Sequence, residues 1–124
     1  MRYMLLMVDT RELAESRPEP LDSAAPVEWT EEMVGRGVEL GGARLRPPEE
    51  GRTVRRRGGE TLVVDGPYAE VREQVAGFDI IEVTDLDEAI EVASKHPAAR
   101  FGPIEIRPLW ATDDELDLEA LRAL

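Results

Sequence analysis

One segment of the chain, residues 77–95, reads GFDIIEVTDLDEAIEVASK and contains a strand pattern followed at once by a helix pattern. In residues 77–83, Phe78 and Ile80 face one side while Asp79 and Ile81 face the other, which is the alternation of a β-strand. Residues 86–95 repeat apolar side chains at the spacing of a buried helical stripe, which comprises Leu86, Ala89, Ile90 and Ala93. A strand that leads directly into a helix predicts the first half of a β-α-β unit.

The residues after this segment complete the unit. Asp85 and Glu88 have the spacing of a capping box at the start of the helix, and Pro97 ends it. Residues 104–107 then alternate as Ile-Glu-Ile-Arg, which predicts a half-buried strand. A second capping box at residues 112–115 predicts a terminal helix that continues to Leu124.

The first half of the chain predicts a similar unit. Residues 2–8, RYMLLMV, are apolar on both alternating sets, as in a central strand that is buried on both faces. Three prolines predict a long loop over residues 11–26, with at most one helical turn at 12–16. A helix over 27–37 and a strand over 38–45 follow, and Pro47-Pro48 closes that strand.

A hairpin separates the two units. Arg52–Arg57 and residues 60–64 predict two strands joined by Gly58-Gly59, a pair that tolerates the positive φ angles of a tight turn. The whole order predicts one α+β domain over residues 1–124, with a ferredoxin-like βαββαβ fold, an inserted β-hairpin and a C-terminal helix. Two helices cover one face of such a sheet, so the other face needs a partner, a ligand or water.

Composition excludes several classes of protein. The 124 residues carry 15 basic and 27 acidic side chains, and a net charge of −12 argues against binding to nucleic acid or to an anionic membrane. The absence of cysteine excludes disulfides, thiol catalysis and Cys-zinc sites. The apolar runs are too short to cross a bilayer, and no signal peptide is visible at the N-terminus. These features predict a cytoplasmic protein.

His96 is the one side chain with an ordinary pKa near neutrality. It follows the predicted helix and precedes Pro97, so we expect a solvated cation that interacts favourably with the helix C-terminus. A single histidine without cysteine predicts no transition-metal site, and the sequence predicts no cofactor.

Four carboxylates cluster near one predicted turn: Asp65, Glu70, Glu73 and Asp79. Paired carboxylates can divide acid and base roles when burial separates their pKa values. Asp65 also suits a purely structural role, because an Asp before Gly-Pro accepts backbone N–H bonds in a turn. Glu70 and Glu73 can equally be solvated or paired with Arg72.

Arginines are concentrated around the predicted hairpin, at positions 44, 46, 52, 55, 56 and 57. Such a cluster can bind an anion, form the solvated face of the hairpin, or meet an acidic surface of a second subunit. It also suits protection of a sheet edge against stray strand pairing. The sequence leaves these alternatives open, together with the orientation of Arg55, Arg56 and Arg57.

The segment from Asp65 to Phe78, DGPYAEVREQVAGF, resembles the signature of the DGPF family, a branch of the YCII-related proteins. The resemblance extends to residues 2–6, 85–89, 97–99 and 105–108, so it covers most of the chain. In this sequence Tyr68 replaces the usual Phe, Arg72 the usual Lys, and Val71 the commoner Thr.

The resemblance implies a ferredoxin-like subunit that pairs through its sheet face into a dimeric α/β barrel. It implies little about activity. Related YCII proteins are suspected enzymes because of a His-Asp pair in a cavity, but this chain has no histidine in its first half, so the pair is not carried over to it. The family's genes often lie near those of extracytoplasmic-function sigma factors, which implies a regulatory link.

Two functional hypotheses follow. In the first, a homodimer binds a small polar or anionic molecule between the 65–78 segment and the open sheet face. There Glu70 and Glu73 act as acid/base groups, Arg72 holds an anion, Tyr68 lines the pocket, and Asp65 and Asp79 contribute to binding. In the second, the protein is a non-catalytic dimeric interaction or regulatory module. A cavity lined by Glu70, Glu73 or Asp79 would favour the first hypothesis.

Overall fold

The computed structural model describes residues 1–16, 26–66 and 73–110. Its strands are β1 (Arg2–Thr10), β2 (Glu39–Arg44), β3 (Arg52–Arg57), β4 (Glu60–Asp65), β5 (Glu73–Glu82) and β6 (Ile104–Pro108). Its helices are α1 (Arg11–Ser16), α2 (Val27–Gly35) and α3 (Leu86–Ser94), with short 3₁₀ turns at Pro48–Glu50 and Pro97–Arg100.

Four strands form an antiparallel sheet in the order β2-β5-β1-β6. β1 is central, as its apolar sequence predicts, and its residues alternate between buried and half-buried. Tyr3, Leu5 and Met7 point to the buried face, where Ile81 of β5 joins them. This strand order and the β-α-β connections confirm the ferredoxin-like α+β fold.

Helices α2 and α3 cover the face of the sheet that carries Tyr3 and Leu5. Trp29 and Met33 are the buried residues of α2, and the indole Nε1 of Trp29 donates a hydrogen bond to the carbonyl of Val92 in α3, at 2.9 Å. This bond satisfies the polar edge of a ring that is otherwise enclosed in the core.

The N-terminus of α3 is capped as predicted, since Asp85 Oδ1 accepts a hydrogen bond from the backbone N–H of Glu88 at 2.9 Å. The predicted buried stripe of α3 is wrong in part. Ala89, Val92 and Ala93 are buried, whereas Leu86 and Ile90 are about half exposed, at 51% and 49%. The helix packs through its small side chains, which allow it to approach the sheet closely.

The start of β5 is the main difference in element boundaries. We expect a polar connector up to residue 76, but Glu73 already pairs with Thr10 and Gln74 with Asp9. The segment remains in the sheet because β1 is equally long and supplies a partner for it. The predicted terminal helix over 116–124 lies outside the described residues.

The predicted hairpin forms a separate two-stranded sheet from β3 and β4. Gly58 and Gly59 adopt positive φ angles of 57° and 83°, as the tight turn requires. Every residue of β4 is exposed, and in β3 only Thr53 is partly covered. In the part of the chain that the structure describes, every helix is too short or too polar to cross a membrane.

Candidate functional site

A cavity of about 320 Å³ opens at one end of the sheet, beside β2 and β5. Its wall includes the start of α2 at Pro26 and Thr30, and His96 from the segment after α3. Most of the wall is apolar or backbone, and its four titratable residues are Glu39, Arg44, Asp79 and His96. An apolar cavity with a few convergent polar groups is the usual form of a small-molecule site.

The strand register places this cavity on the helix-covered side of the sheet. Asp79 pairs with Leu5 of β1 and with Gly42 of β2, so the three residues share one face. Leu5 is fully buried against the helices. The cavity therefore lies within one subunit on the helix-covered side of the sheet, whereas the sequence predicts a pocket on the open face.

A glycine on the neighbouring strand makes room for the Asp79 side chain. A Cβ atom at Gly42 would collide with Asp79 Oδ1 and with the backbone carbonyl of Phe78. The carboxylate thus lies directly over the backbone of β2, where a larger residue would exclude it.

Glu39 is the second carboxylate of the site. Its Oε1 accepts a hydrogen bond from the backbone N–H of Gly41 at 2.9 Å. Its Oε2 is buried and receives no hydrogen bond from any N–H or hydroxyl group of the described residues. A buried acceptor left in that state costs about 1–3 kcal/mol, so a donor for this oxygen is needed.

A proton shared by the Glu39 and Asp79 carboxyl groups removes this deficit. Burial, with the nearby Glu39 carboxylate as second cause, raises the pKa of Asp79 to about 8. Burial also raises the pKa of Glu39, while hydrogen bonds from Asp79 and Gly41 act in the opposite direction. Burial therefore favours a protonated state of this carboxyl pair near neutral pH.

His96 contradicts the expectation of a solvated cation. The residue is only 5% exposed and packs edge-on against Trp29, with the ring centroids 4.7 Å apart. Burial lowers the pKa of His96 to about 4, so the imidazole is neutral at physiological pH. The helix C-terminus does not overcome this desolvation.

The hydrogen bonding of His96 fixes where its proton lies. Nδ1 accepts a hydrogen bond from the backbone N–H of Ala98 at 3.0 Å, so the neutral ring carries its proton on Nε2. Nε2 lies 3.8 Å from Asp79 Oδ2, too far for a direct hydrogen bond. Because His96 is neutral and Asp79 holds a proton, this contact is not an ion pair.

Comparison with known proteins gives the family. The sequence model of the YCII-related domain family matches residues 1–113 of this chain. The chain belongs to the YCII-related family. An uncharacterised protein of Rhizobium meliloti (strain 1021) is 45% identical over 69 residues, which are 54% of this chain and 56% of that protein. The match therefore spans little more than half the length of that relative.

The predicted site residues of this YCII-related chain are distributed over different places. Asp79 lines the cavity. Asp65 does not: it is exposed at the end of β4 and forms an ion pair with Arg52, 3.0 Å away. Tyr68, Glu70 and Arg72 lie outside the described residues, and the Glu73 side chain is likewise not described.

Sequence reasoning missed the other parts of the site in this YCII-related domain. Glu39 is the first residue of β2, and only the sheet register, which pairs it with Ile81 two residues from Asp79, places it on the same face as Asp79. The sequence does carry a signal for His96. It directly precedes a 3₁₀ turn, and its imidazole caps that turn by accepting a hydrogen bond from the N–H of Ala98. Among the described residues, no group of three or more His, Asp or Glu side chains is arranged to hold a metal ion.

Proposed function

We propose that the cavity binds a small molecule through a carbonyl or hydroxyl oxygen and that Asp79 exchanges a proton with it. The observation that carries this proposal is the 3.8 Å gap between His96 Nε2 and Asp79 Oδ2. An oxygen atom placed in that gap can lie at hydrogen-bond distance, about 2.8 Å, from both groups. The apolar remainder of the wall suits the body of a small organic ligand.

The two residues have different roles in this proposal. His96 acts as a hydrogen-bond donor and not as a base, since Nδ1 is already bonded to Ala98 and the pKa of the ring is about 4. Asp79, with a pKa of about 8, holds a proton near neutrality and can release it at little cost. Glu39 stabilises the shared proton and is a positioning residue.

The earlier assignments stay proposals. Glu70 and Glu73 as acid/base groups, with Tyr68 and Arg72 as binding groups, belong to the segment adjoining the start of β5. That strand leads into Ala76 and Phe78, which line the cavity. Asp65 is assigned to the hairpin, where its partner is Arg52.

The test compares Asp79→Asn and His96→Gln with the unchanged chain in a thermal-shift screen of small hydroxy and keto acids. We expect a compound that stabilises the unchanged chain to bind at least about tenfold more weakly to either variant, because each loses one partner of the bound oxygen. The affinity of that compound for the unchanged chain should fall as the pH rises through about 8, where Asp79 loses its proton, and this fall should be absent in Asp79→Asn.

Asp87→Asn is the matched control, since Asp87 is an exposed aspartate of α3. It should bind the compound as the unchanged chain does. If Asp79→Asn and His96→Gln bind with unchanged affinity, the assignment of this cavity is wrong.

We also propose that the subunit forms a homodimer through the sheet face opposite the helices. Met4, Leu6, Phe78 and Ile80 lie on that face by strand register, and each is only half-buried. An apolar face of this kind favours association with a copy of itself. Light scattering at micromolar concentration should give twice the mass of one chain, and the mass of a monomer would contradict the dimer.

A second candidate function is a non-catalytic interaction or regulatory module. The exposed hairpin of β3 and β4 favours it, because an apolar and basic surface of this kind suits a macromolecular partner. The absence of a small-molecule shift in the screen above, together with a hairpin-dependent complex, would favour this candidate over the first.

A further inference from the structure

The hairpin is the least covered part of the described structure. β3 and β4 pair only with each other, and at the base of the hairpin the Gly66 N–H bonds the carbonyl of Gly51 at 2.9 Å. An isolated two-stranded sheet is marginally stable in water. Packing against another protein surface would stabilise this hairpin.

Apolar side chains are exposed on both faces of the hairpin. The register pairs Val54 with Val63 on one face, and each is 61% exposed. On the other face Val64 lies opposite Thr53 and Leu62 opposite Arg55, with exposures of 53% for Val64 and 43% for Leu62. Contiguous exposed apolar residues on a two-stranded hairpin indicate an interaction surface.

Charge indicates which kind of surface the hairpin meets. Residues 52–65 contain four arginines and two acids, which give a net charge of +2. The rest of the chain carries a net charge of −14, so the whole chain has −12. Arg52 is paired with Asp65, but Arg56 and Arg57 form no ion pair within the described part of the chain. The arm is therefore a basic element on a strongly acidic protein.

The helical side of the same protein has the complementary composition. Glu28 and Glu31 on α2 and Asp87 on α3 are exposed. Exposed apolar residues accompany these acids: Val27, Val34, Leu86 and Ile90, with exposures between 49% and 59%. A surface that combines acids with uncovered apolar side chains matches a ribbon that combines arginines with uncovered valines.

We propose that the β3–β4 hairpin of one copy docks on the acidic helical side of a second copy. Two chains of charge −12 repel each other, and a basic arm placed against acids offsets that repulsion at the contact. This contact is separate from the open sheet face and does not depend on the proposed function of the cavity. Its occupant is a second copy, and other partners are outcomes of the test.

The test is the mass of the assembly, measured by sedimentation velocity, for the unchanged chain and for Arg56→Glu/Arg57→Glu. We expect this double variant to raise the dissociation constant of one association step by at least about tenfold, because its new glutamates would be repelled by the acidic side chains of the second copy. The matched control is Arg46→Glu/Arg100→Glu, which changes the net charge equally at exposed sites outside the hairpin. It should retain the mass of the unchanged chain.

Charge exchange identifies the receiving surface. Glu28→Arg/Glu31→Arg should weaken association alone, and a mixture of it with Arg56→Glu/Arg57→Glu should restore the assembly. Circular dichroism of each variant checks that the fold is retained. The proposal is overturned by a monomeric unchanged chain, by equal effects of the hairpin and control variants, or by a mixture that does not reassemble.

Discussion

An Asp79→Asn variant is expected to gain stability relative to the unchanged chain as the pH rises from about 4 to about 8. The folded protein raises the pKa of this carboxyl from 3.8 to about 8, so between these values it holds a proton that the unfolded chain has released. Each pH unit then removes up to about 1.4 kcal/mol of stability from the unchanged chain. Because the Asp79 side chain is partly exposed to solvent, we expect roughly half of this effect, or about 3 kcal/mol in total.

His96 gives the unchanged chain a slope of the opposite sign. Its pKa falls from 6.5 to about 4 on folding, so in that range the unfolded chain binds a proton that the folded chain does not. Stability therefore rises with pH up to about 6.5 from this group. The two contributions offset each other below pH 6.5, and above it only the fall due to Asp79 remains.

The measurement is urea denaturation of both chains at a series of pH values. For the unchanged chain, these groups predict a free energy of unfolding that is constant up to pH 6.5 and falls above it. For Asp79→Asn they predict a free energy of unfolding that rises up to pH 6.5 and is constant above it. Asp87→Asn removes an exposed carboxyl of α3, and its stability curve should run parallel to that of the unchanged chain. Parallel curves for Asp79→Asn would show that Asp79 is not a protonated group.

Local patterns were sufficient to predict most of the fold. Strand β1 follows from a continuous apolar run, β5 from apolar alternation, and the start of α3 from Asp85, because these signals act between residues close in sequence. The hairpin turn likewise follows from Gly58-Gly59. The family resemblance was confirmed over residues 1–113.

The buried face of α3 could not be predicted from spacing alone. Ile90 and Val92 are both apolar, and two stripes of similar quality can be drawn through the helix, one with Leu86 and Ile90 and the other with Val92. The structure buries the second because Ala89 and Ala93 allow close approach to the sheet. The choice depends on what faces the helix, which the helix sequence does not contain.

The site was predictable only in part, because it is assembled across strands. Asp79 was selected as a carboxylate near the signature segment, but its neighbours Glu39 and Gly42 become visible only through the pairing of β2 with β5. His96 was interpreted from the helix dipole, which favours its charged form, whereas burial against Trp29 is the stronger effect. Desolvation is a tertiary property and has no local signature.

A Gly42→Ala variant is expected to lose about 2 to 3 kcal/mol of stability. The new Cβ atom would overlap with Asp79 Oδ1 and the carbonyl oxygen of Phe78. Asp79 can rotate away, but the carbonyl belongs to the backbone of β5, so relief requires the two strands to separate. The same movement would displace the carboxyl from Glu39, and compounds that bind the cavity should no longer bind.

Gly35→Ala supplies the matched control, since it introduces the same methyl group at the end of α2, where a Cβ atom meets nothing within 4 Å. Its stability should change by less than about 1 kcal/mol, in the direction of a gain, because alanine favours the helix. Urea denaturation at pH 6 compares the two variants. Equal stabilities would mean that β2 and Asp79 are not in close contact, and the shared proton between Asp79 and Glu39 would then lose its structural basis.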